Sequence, residues 1–466
     1  MAFLAIHALS WLSVCHALLT KRDPRSALAW TATSLFLPII GPLFYLLFGI
    51  SRAESRAGKL ARRVPATTPN YTRLHFADNP QKEVPVGLNE QMELPGRCIT
   101  ARHLCGGNSI RPLFNGDAAY PAMLDAIAKA EHCVYLTSYI FQSGDISEAF
   151  VERMNEAVNR GADVRMLLDG IGSLYSLAKP WKKLADHGAR VELFLPPRLF
   201  PPNFGINLRN HRKILICDDI AYTGGMNISD KNSLGKYPTN GIQDVHFCCK
   251  GPIVLDLKRA FLLNWGFSTG EYDKIDFPES SPAGKSYCRL VMDGPGSEIE
   301  MLNELYCCVI SAAKRAIRVM TPYFLPSHDI MASLRSAARR GVDVRIVLPE
   351  RNNLPYMHWA TLRLLPALLK AGVRVWLQRP PFAHSKLLTI DGDYCQIGSA
   401  NLDARSLHLN FELNMEIFDA DVYNILAAHI DDAIHAGREI TQEDIERQTL
   451  VAKLRNAACW IFSPYL

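Results

Sequence analysis

HRKILICDDIAYTGGMN (211–227) and HSKLLTIDGDYCQIGSAN (384–401) are two copies of one pattern. Each opens with His-x-Lys, runs through four apolar or neutral residues to an Asp, and ends in a Gly-(Gly/Ser)-x-Asn turn. The His-to-Asn spacing is 16 in the first copy and 17 in the second. A single H-x-K-x4-D carries little information, because a strand with an ordinary His and a surface Lys explains it. Two copies with the same turn at the same place require a shared origin or a shared task.

Side chains alternate along a strand, so His and Lys at i and i+2 share one face and the residue between them, Arg212 or Ser385, points away. ILIC and LLTI then read as buried strand. If the two copies face each other, one pocket holds two imidazoles (His211, His384), two ammonium groups (Lys213, Lys386) and two amides (Asn227, Asn401), with Ser399 beside the second. Such a cage suits a dianionic transition state on phosphorus. Imidazole is both nucleophile and proton donor, so one His can attack while the other protonates the leaving alcohol. The lysines hold the non-bridging oxygens, and neither metal nor other cofactor is expected. Asp244 and Glu412 are candidate carboxylates for orienting the imidazoles. Asp218 and Asp391 complete the candidate catalytic set of six motif residues, and their place at the strand ends reads as structural.

The repeat extends outward. AIAKAEHCVYLTSYIF (126–141) and NRGADVRMLLD (159–169) match SAAKRAIRVMTPYFLP (311–326) and RRGVDVRIVLP (339–349), with the RGxDVR segments offset by 180 residues. Alternating helices and strands in both halves imply a duplicated α/β fold, a mixed sheet covered by helices. Residues 64–112, with six prolines, read as linker and irregular lead-in. LFLPPRLFPPNFGINL (193–208) precedes His211 and reads equally as a membrane-dipping lid or a buried loop. LPYMHWATLRLLPALLKAG (354–372) reads as a helix with its apolar face on the sheet.

The chain has 466 residues, 48% hydrophobic and 21% charged, which excludes a disordered or collagen-like chain. Of 51 Lys+Arg and 46 Asp+Glu, eight basic and two acidic side chains lie in residues 1–63, so the remainder sums to −1. That balance argues against a nucleic-acid partner. Residues 1–20 and 27–50 carry no charge, and the second run, about 36 Å long as a helix, predicts a two-pass transmembrane hairpin with Trp30 and Tyr45 near the interfaces. Basic residues after the hairpin place the main domain on the cytoplasmic side. The twelve cysteines lack CxxC and zinc spacing and read as reduced thiols.

The duplicated motif resembles the phospholipase D superfamily. With the hydrophobic N-terminus, PYFLP (322–326), FAHSK (382–386), GSANLDARS (398–406) and NFELN (410–414), the chain resembles bacterial cardiolipin synthases of that superfamily over nearly its whole length. The resemblance implies two phospholipase D-like α/β/α sandwich repeats related by a pseudo-twofold axis, behind a transmembrane hairpin. The corresponding boundaries are 1–50 for the hairpin, 51–112 for a basic juxtamembrane segment and linker, and 113–285 and 286–466 for the repeats. It further implies a phosphohistidine intermediate with His211 as nucleophile and His384 as acid/base, Glu412 in a His-orienting position, and Asn227, Ser399 and Asn401 on the substrate phosphate. Phosphatidylglycerol and membrane lipids of the bacterial inner membrane are the implied partners. Two departures bear on the acceptor: Gly225 stands where the second motif has Ser399, and NGIQ precedes Asp244 where a Trp-Arg pair is expected. A hydrolytic phospholipase D, a phosphodiesterase nuclease and a non-enzymatic membrane scaffold are the competing readings.

Overall fold

The computed structural model describes residues 2–21, 23–50, 88–176, 178–197, 208–273, 281–294 and 300–463. Two units separate, Met1–Arg62 and Arg63–Leu466.

The first unit is helical: Ala2–Thr20, Pro24–Phe36, Ile40–Phe44 and a π-helical turn Tyr45–Gly49. Asp23 caps the second helix, its carboxylate accepting from the N–H groups of Arg25 and Ser26, with Pro24 in the first turn. The expected unbroken helix over 27–50 is corrected. Pro38 lacks an N–H and drives Leu37 out of the helical region (φ −123°, ψ 73°), so the helix stops at Phe36. Among the described residues no helix is long and apolar enough to cross a membrane. Tyr45, expected near an interface, is buried and bonded through its hydroxyl to His16 Nδ1 (2.7 Å). Leu12, Leu18, Leu19, Leu28 and Phe36 point outward.

The second unit is organised by one fifteen-stranded sheet. At its centre Cys105–Phe114 pairs antiparallel with Ser286–Asp293. From that join the first half runs outward through Val245–Lys250, Ile220–Gly224, Ile214–Cys217, Cys133–Ser138, Asp163–Asp169 and Arg190–Phe194. The second half runs the other way through Glu412–Phe418, Tyr394–Gly398, Leu387–Ile390, Ala316–Met320, Asp343–Pro349 and Arg374–Gln378, with Arg438–Ile440 added at the edge. The order is the same in both directions, and in each half the outer three of these strands are parallel.

Strand alternation fills two layers in each half. Val134, Leu136, Val164 and Met166 enter a core with helices Asn115–Lys129 and Asp145–Asn159. Tyr135, on the opposite face, stacks on Phe261 of helix Ile253–Thr269 (5.0 Å). In the second half Ile317 and Val319 join the core beneath helices Met301–Ala312 and His328–Arg339, while Arg318 reaches Asp431 on helix Ala420–Ala436 (2.8 Å). Helix Pro355–Leu369 accounts for the apolar run read at 354–372.

Regular structure begins earlier than the expected start after residue 112. Helix Glu90–Thr100 and strand Cys105–Phe114 both lie in the segment read as lead-in. Proline misled there. Pro112 sits opposite Phe247, beyond Asn108, the last residue paired with Ser286–Asp293, so its missing N–H faces the open side of the strand. Helix Glu90–Thr100 is fixed by Arg289, whose buried guanidinium bonds Glu93 Oε1 (3.1 Å) and Glu416 Oε2 (2.6 Å).

Candidate active site

Each motif histidine sits just before a strand of its own half and is held by the other half. The His211 N–H donates to Phe411 O (2.9 Å), and the His384 N–H to Gln243 O (2.7 Å). Short parallel ladders make these crossings: Phe382–Ala383 pairs with Ile242–Gln243, and Asn210 bridges to Phe411. The orienting carboxylates therefore cross over as well. His211 Nδ1 lies 3.0 Å from Glu412 Oε2, and His384 Nδ1 lies 2.8 Å from Asp244 Oδ2. Both carboxylates are fully buried.

Glu412 is itself held: Ser399 Oγ donates to Oε2 (2.5 Å) and Asn410 Nδ2 to Oε1 (3.2 Å). Burial pushes the Glu412 carboxyl up, but the His211 imidazole, with Lys213 and the Ser399 hydroxyl, carries it below its ordinary value. Asp244 Oδ1 accepts from the Val245 N–H (2.8 Å).

The lysines lie beneath the imidazoles. Lys213 Nζ donates to His211 O (2.6 Å) and stands 5.8 Å from the Tyr139 ring centroid. Lys386 Nζ donates to His384 O and also lies 2.9 Å from Nδ1 and 3.2 Å from Nε2 of the His384 ring. Burial lowers Lys213 to about 7 and Lys386 to about 8. Burial also lowers His211, while burial and the Lys386 charge bring His384 down to about 4. Both imidazoles are therefore neutral near pH 7.

His211 and His384 line a single cavity of ≈ 420 Å³. Asn227 and Asn401 line it too, as expected. Asn227 Oδ1 accepts from the Ile140 N–H (3.2 Å), and Asn401 Nδ2 donates to Ser406 Oγ (3.2 Å) while its buried Oδ1 has no partner among the described residues. Ser399, expected on the substrate phosphate, does not line this cavity: after the turn at Gly398 its side chain faces the strand that carries Glu412.

Asp218 and Asp391 lie away from the cavity. Asp218 accepts from the N–H groups of Glu131, His132 and Cys133 (2.8, 3.0 and 2.7 Å). Asp391 accepts from those of Lys314, Arg315 and Ala316 (2.7, 2.7 and 2.9 Å). Each stands in the left-handed region (φ 53° and 57°), which Asp tolerates at a turn. Of the six motif residues these two are held as anchors away from the cavity, where their position at the strand ends reads as structural.

The sequence reading missed several residues. Arg212 points away from the cavity, as alternation requires, but is wholly buried, bonding Glu412 O (3.0 Å), Asn264 Oδ1 (3.0 Å) and Asp293 O (2.9 Å). It clamps both halves behind His211. Tyr139 and Tyr323 meet His211 and His384 edge-on (5.2 and 6.4 Å). Arg405 and Asp403 line the cavity, and burial raises the Asp403 carboxyl to about 6. The signal for the last two was the matched turn: Ser229 and Lys231 occupy the corresponding positions of the first copy. Among the described residues no three His, Cys, Asp or Glu side chains group so as to hold a metal. The candidate lid falls mainly on residues 198–207, outside the described residues.

The family model described as cardiolipin synthase, PLD-like domain matches residues 123–244 and 306–434, once in each half. The chain belongs to this family. A phospholipase D-nuclease N-terminal model matches residues 8–49. Among related members of the family, the chain is 30% identical over 457 residues to the major cardiolipin synthase ClsA of Bacillus subtilis (strain 168), covering 96% of this chain and 95% of that one. It is 32% identical over 465 residues to a cardiolipin synthase of Geobacillus thermodenitrificans (strain NG80-2), covering 96% and 90%. The fold is shared with a phosphatidylserine synthase of Haemophilus influenzae Rd KW20, with a TM-score of 0.60 and 15% identity over 77% of this chain and 95% of that one.

Proposed function

We propose that the protein is a cardiolipin synthase that transfers a phosphatidyl group between two phosphatidylglycerol molecules, releasing glycerol. The observation that carries this reading is one cavity lined by two imidazoles, each backed by a buried carboxylate from the opposite half. With Nδ1–H donated to Glu412, His211 presents the Nε2 lone pair to phosphorus. The P–N bond forms as the P–O bond to glycerol breaks, and His384 gives its proton to the leaving oxygen. His384 then takes the proton of the terminal hydroxyl of a second phosphatidylglycerol, which attacks phosphorus and frees His211. Lys213, Lys386, Asn227 and Asn401 stabilise the non-bridging oxygens as charge develops. The Lys386 ammonium gives up the His384 ring when a phosphate arrives, and the imidazole becomes protonatable as the substrate charge enters.

The N-terminal unit belongs to the same reading. Its outward apolar side chains and uncharged first helix fit a helical hairpin set in the inner membrane, with the catalytic unit on the cytoplasmic side. Residues 51–112 and the repeats at 113–285 and 286–466 follow it.

Incubating the purified full chain with labelled phosphatidylglycerol, and identifying products by mass, tests the function. Cardiolipin and glycerol are expected in equal amounts, with chelators without effect. Phosphatidic acid as the main product overturns transfer in favour of hydrolysis. His211→Ala and His384→Ala should each lower turnover by about 10⁴-fold or more.

A further inference from the structure

Helix Leu450–Ile461 closes the described chain and has two unlike faces. Asn456, Cys459 and Trp460 turn inward, and Cys459 and Trp460 join a small cluster with Tyr323, Leu354 and Met357. Those same three residues line the cavity that holds the two histidines. The helix is therefore seated beside the cavity, one side chain removed from it.

The outward face is apolar. Leu450, Val451, Leu454, Ile461 and Phe462 are between 60% and 77% exposed. At about 100° per residue they fall within an arc of about 120°, with Lys453 on one flank and Arg455 on the other. Arg455 is stacked over Trp359 of helix Pro355–Leu369 (4.3 Å), so the basic flank is held in place. A further apolar residue, Tyr175, is exposed where the first half borders the same cavity.

We propose that this face is a lipid-contact surface, by which the catalytic unit lies on an anionic bilayer beside its own cavity. The inference rests on the lipid-substrate reading above and deepens it. A diacyl substrate leaves the bilayer at a cost set by the apolar area it exposes, which grows with every CH₂. A cavity whose rim is embedded lets the headgroup enter while the chains stay in the membrane. An outward apolar stripe between basic flanks is the chemistry of a helix lying in an interface rather than across it.

The test uses the full chain reconstituted in vesicles of phosphatidylethanolamine and phosphatidylglycerol. Val451→Glu with Leu454→Glu is expected to lower cardiolipin formation in vesicles about tenfold or more. The rate on monomeric dihexanoyl phosphatidylglycerol should stay within about twofold, because that substrate needs no interface. Leu454→Phe should keep the vesicle rate. An unchanged vesicle rate in the double variant, or an equal fall on both substrates, overturns the proposal. Independently of activity, a diazirine-bearing phospholipid in the vesicles should label peptides within 450–462. Failure to label them, or photo-crosslinks from them to a second copy or to the N-terminal helices instead, also overturns it. A wild-type protein inactive on both substrates sinks the functional reading and leaves the labelling result to decide the surface.

Discussion

The two histidine sites occupy matching places in a duplicated fold, yet they are not built alike. His211 faces a carboxylate that is gripped from behind by Ser399 and Asn410, with its lysine turned to the backbone. His384 faces a carboxylate that accepts from the adjacent Val245 N–H, with its lysine on the backbone carbonyl and also against the ring itself. The first arrangement fixes one tautomer and leaves Nε2 free. In the second, burial and the adjacent ammonium together hold the imidazole neutral, at about 4. Duplication accounts for the symmetry, and Gly225 against Ser399 is one of the differences between the two sites. In the proposed reaction the first site suits a standing nucleophile and the second an acid that is switched on by substrate.

Exchanging the carboxylates for amides breaks that comparison most sharply. Glu412→Gln and Asp244→Asn should each lower kcat by about 10²- to 10⁴-fold, the range seen when a histidine loses its orienting carboxylate. Their intermediates should differ. Glu412→Gln unsettles the His211 tautomer and suppresses the phosphatidyl-histidine adduct in acid-quenched samples. Asp244→Asn slows the second half-reaction and lets the adduct accumulate, with peptide mapping placing it on His211. Adduct on His384, accumulating in Glu412→Gln, reverses the two roles. Rates within about twofold of wild type in both variants mean that the crossed carboxylates orient nothing.

That crossing marks the limit of what the sequence made legible. The strands, the duplication and the convergence of two His-x-Lys pairs follow from periodicity and repeat, because they are local or recur. The pairing of His211 with Glu412 spans 201 residues, and that of His384 with Asp244 spans 140; only the register at the join decides them. Arg212 was placed on the correct face, but its burial depends on helix Ile253–Thr269 bringing Asn264 to it. Pro95 and Pro112 read as punctuation, whereas one lies inside a helix and the other on the open side of a strand. Conversely, residues 27–50 read as one long helix, and Pro38 ends it. For the carboxylates, Arg212, Pro95 and Pro112, tertiary partners outweighed a local rule; at Pro38 the local rule itself decided.

A smaller effect sharpens the lysine half of the comparison. Both folded-state values lie below the ordinary 10.5, because burial disfavours the ammonium forms. An entering phosphodiester restores them, and binding takes up protons. At pH 8 Lys213 at about 7 is mostly neutral and Lys386 at about 8 is half-charged, so binding takes up about 1.4 protons. Calorimetry with glycerophosphoglycerol, whose own charge is constant there, should show this uptake across buffers of differing ionisation enthalpy. Affinity should fall about tenfold or more from pH 7.5 to 9. Affinity that rises over that range contradicts the sign.

The smallest effect on catalysis belongs where the halves are most alike. Asp218 and Asp391 each gather three N–H groups at the start of the neighbouring strand, in the same backbone conformation and in the same order. Neither touches the cavity, so each acts on turnover only through the fold. Asn keeps the left-handed turn but replaces an acceptor oxygen with an amide that faces N–H donors. Asp218→Asn and Asp391→Asn should therefore cost similar stability, about 1–3 kcal/mol each by denaturant melts, with kcat at 25 °C near wild type. A kcat loss comparable to that of Asp244→Asn, with melting unchanged, would put these aspartates back among the reacting groups. Equal melting losses place the twofold symmetry in the scaffold: the anchors are duplicated because both halves need the same fold, while the carboxylate and lysine contacts differ between the halves, as the different tasks of the two histidines in the proposed reaction require.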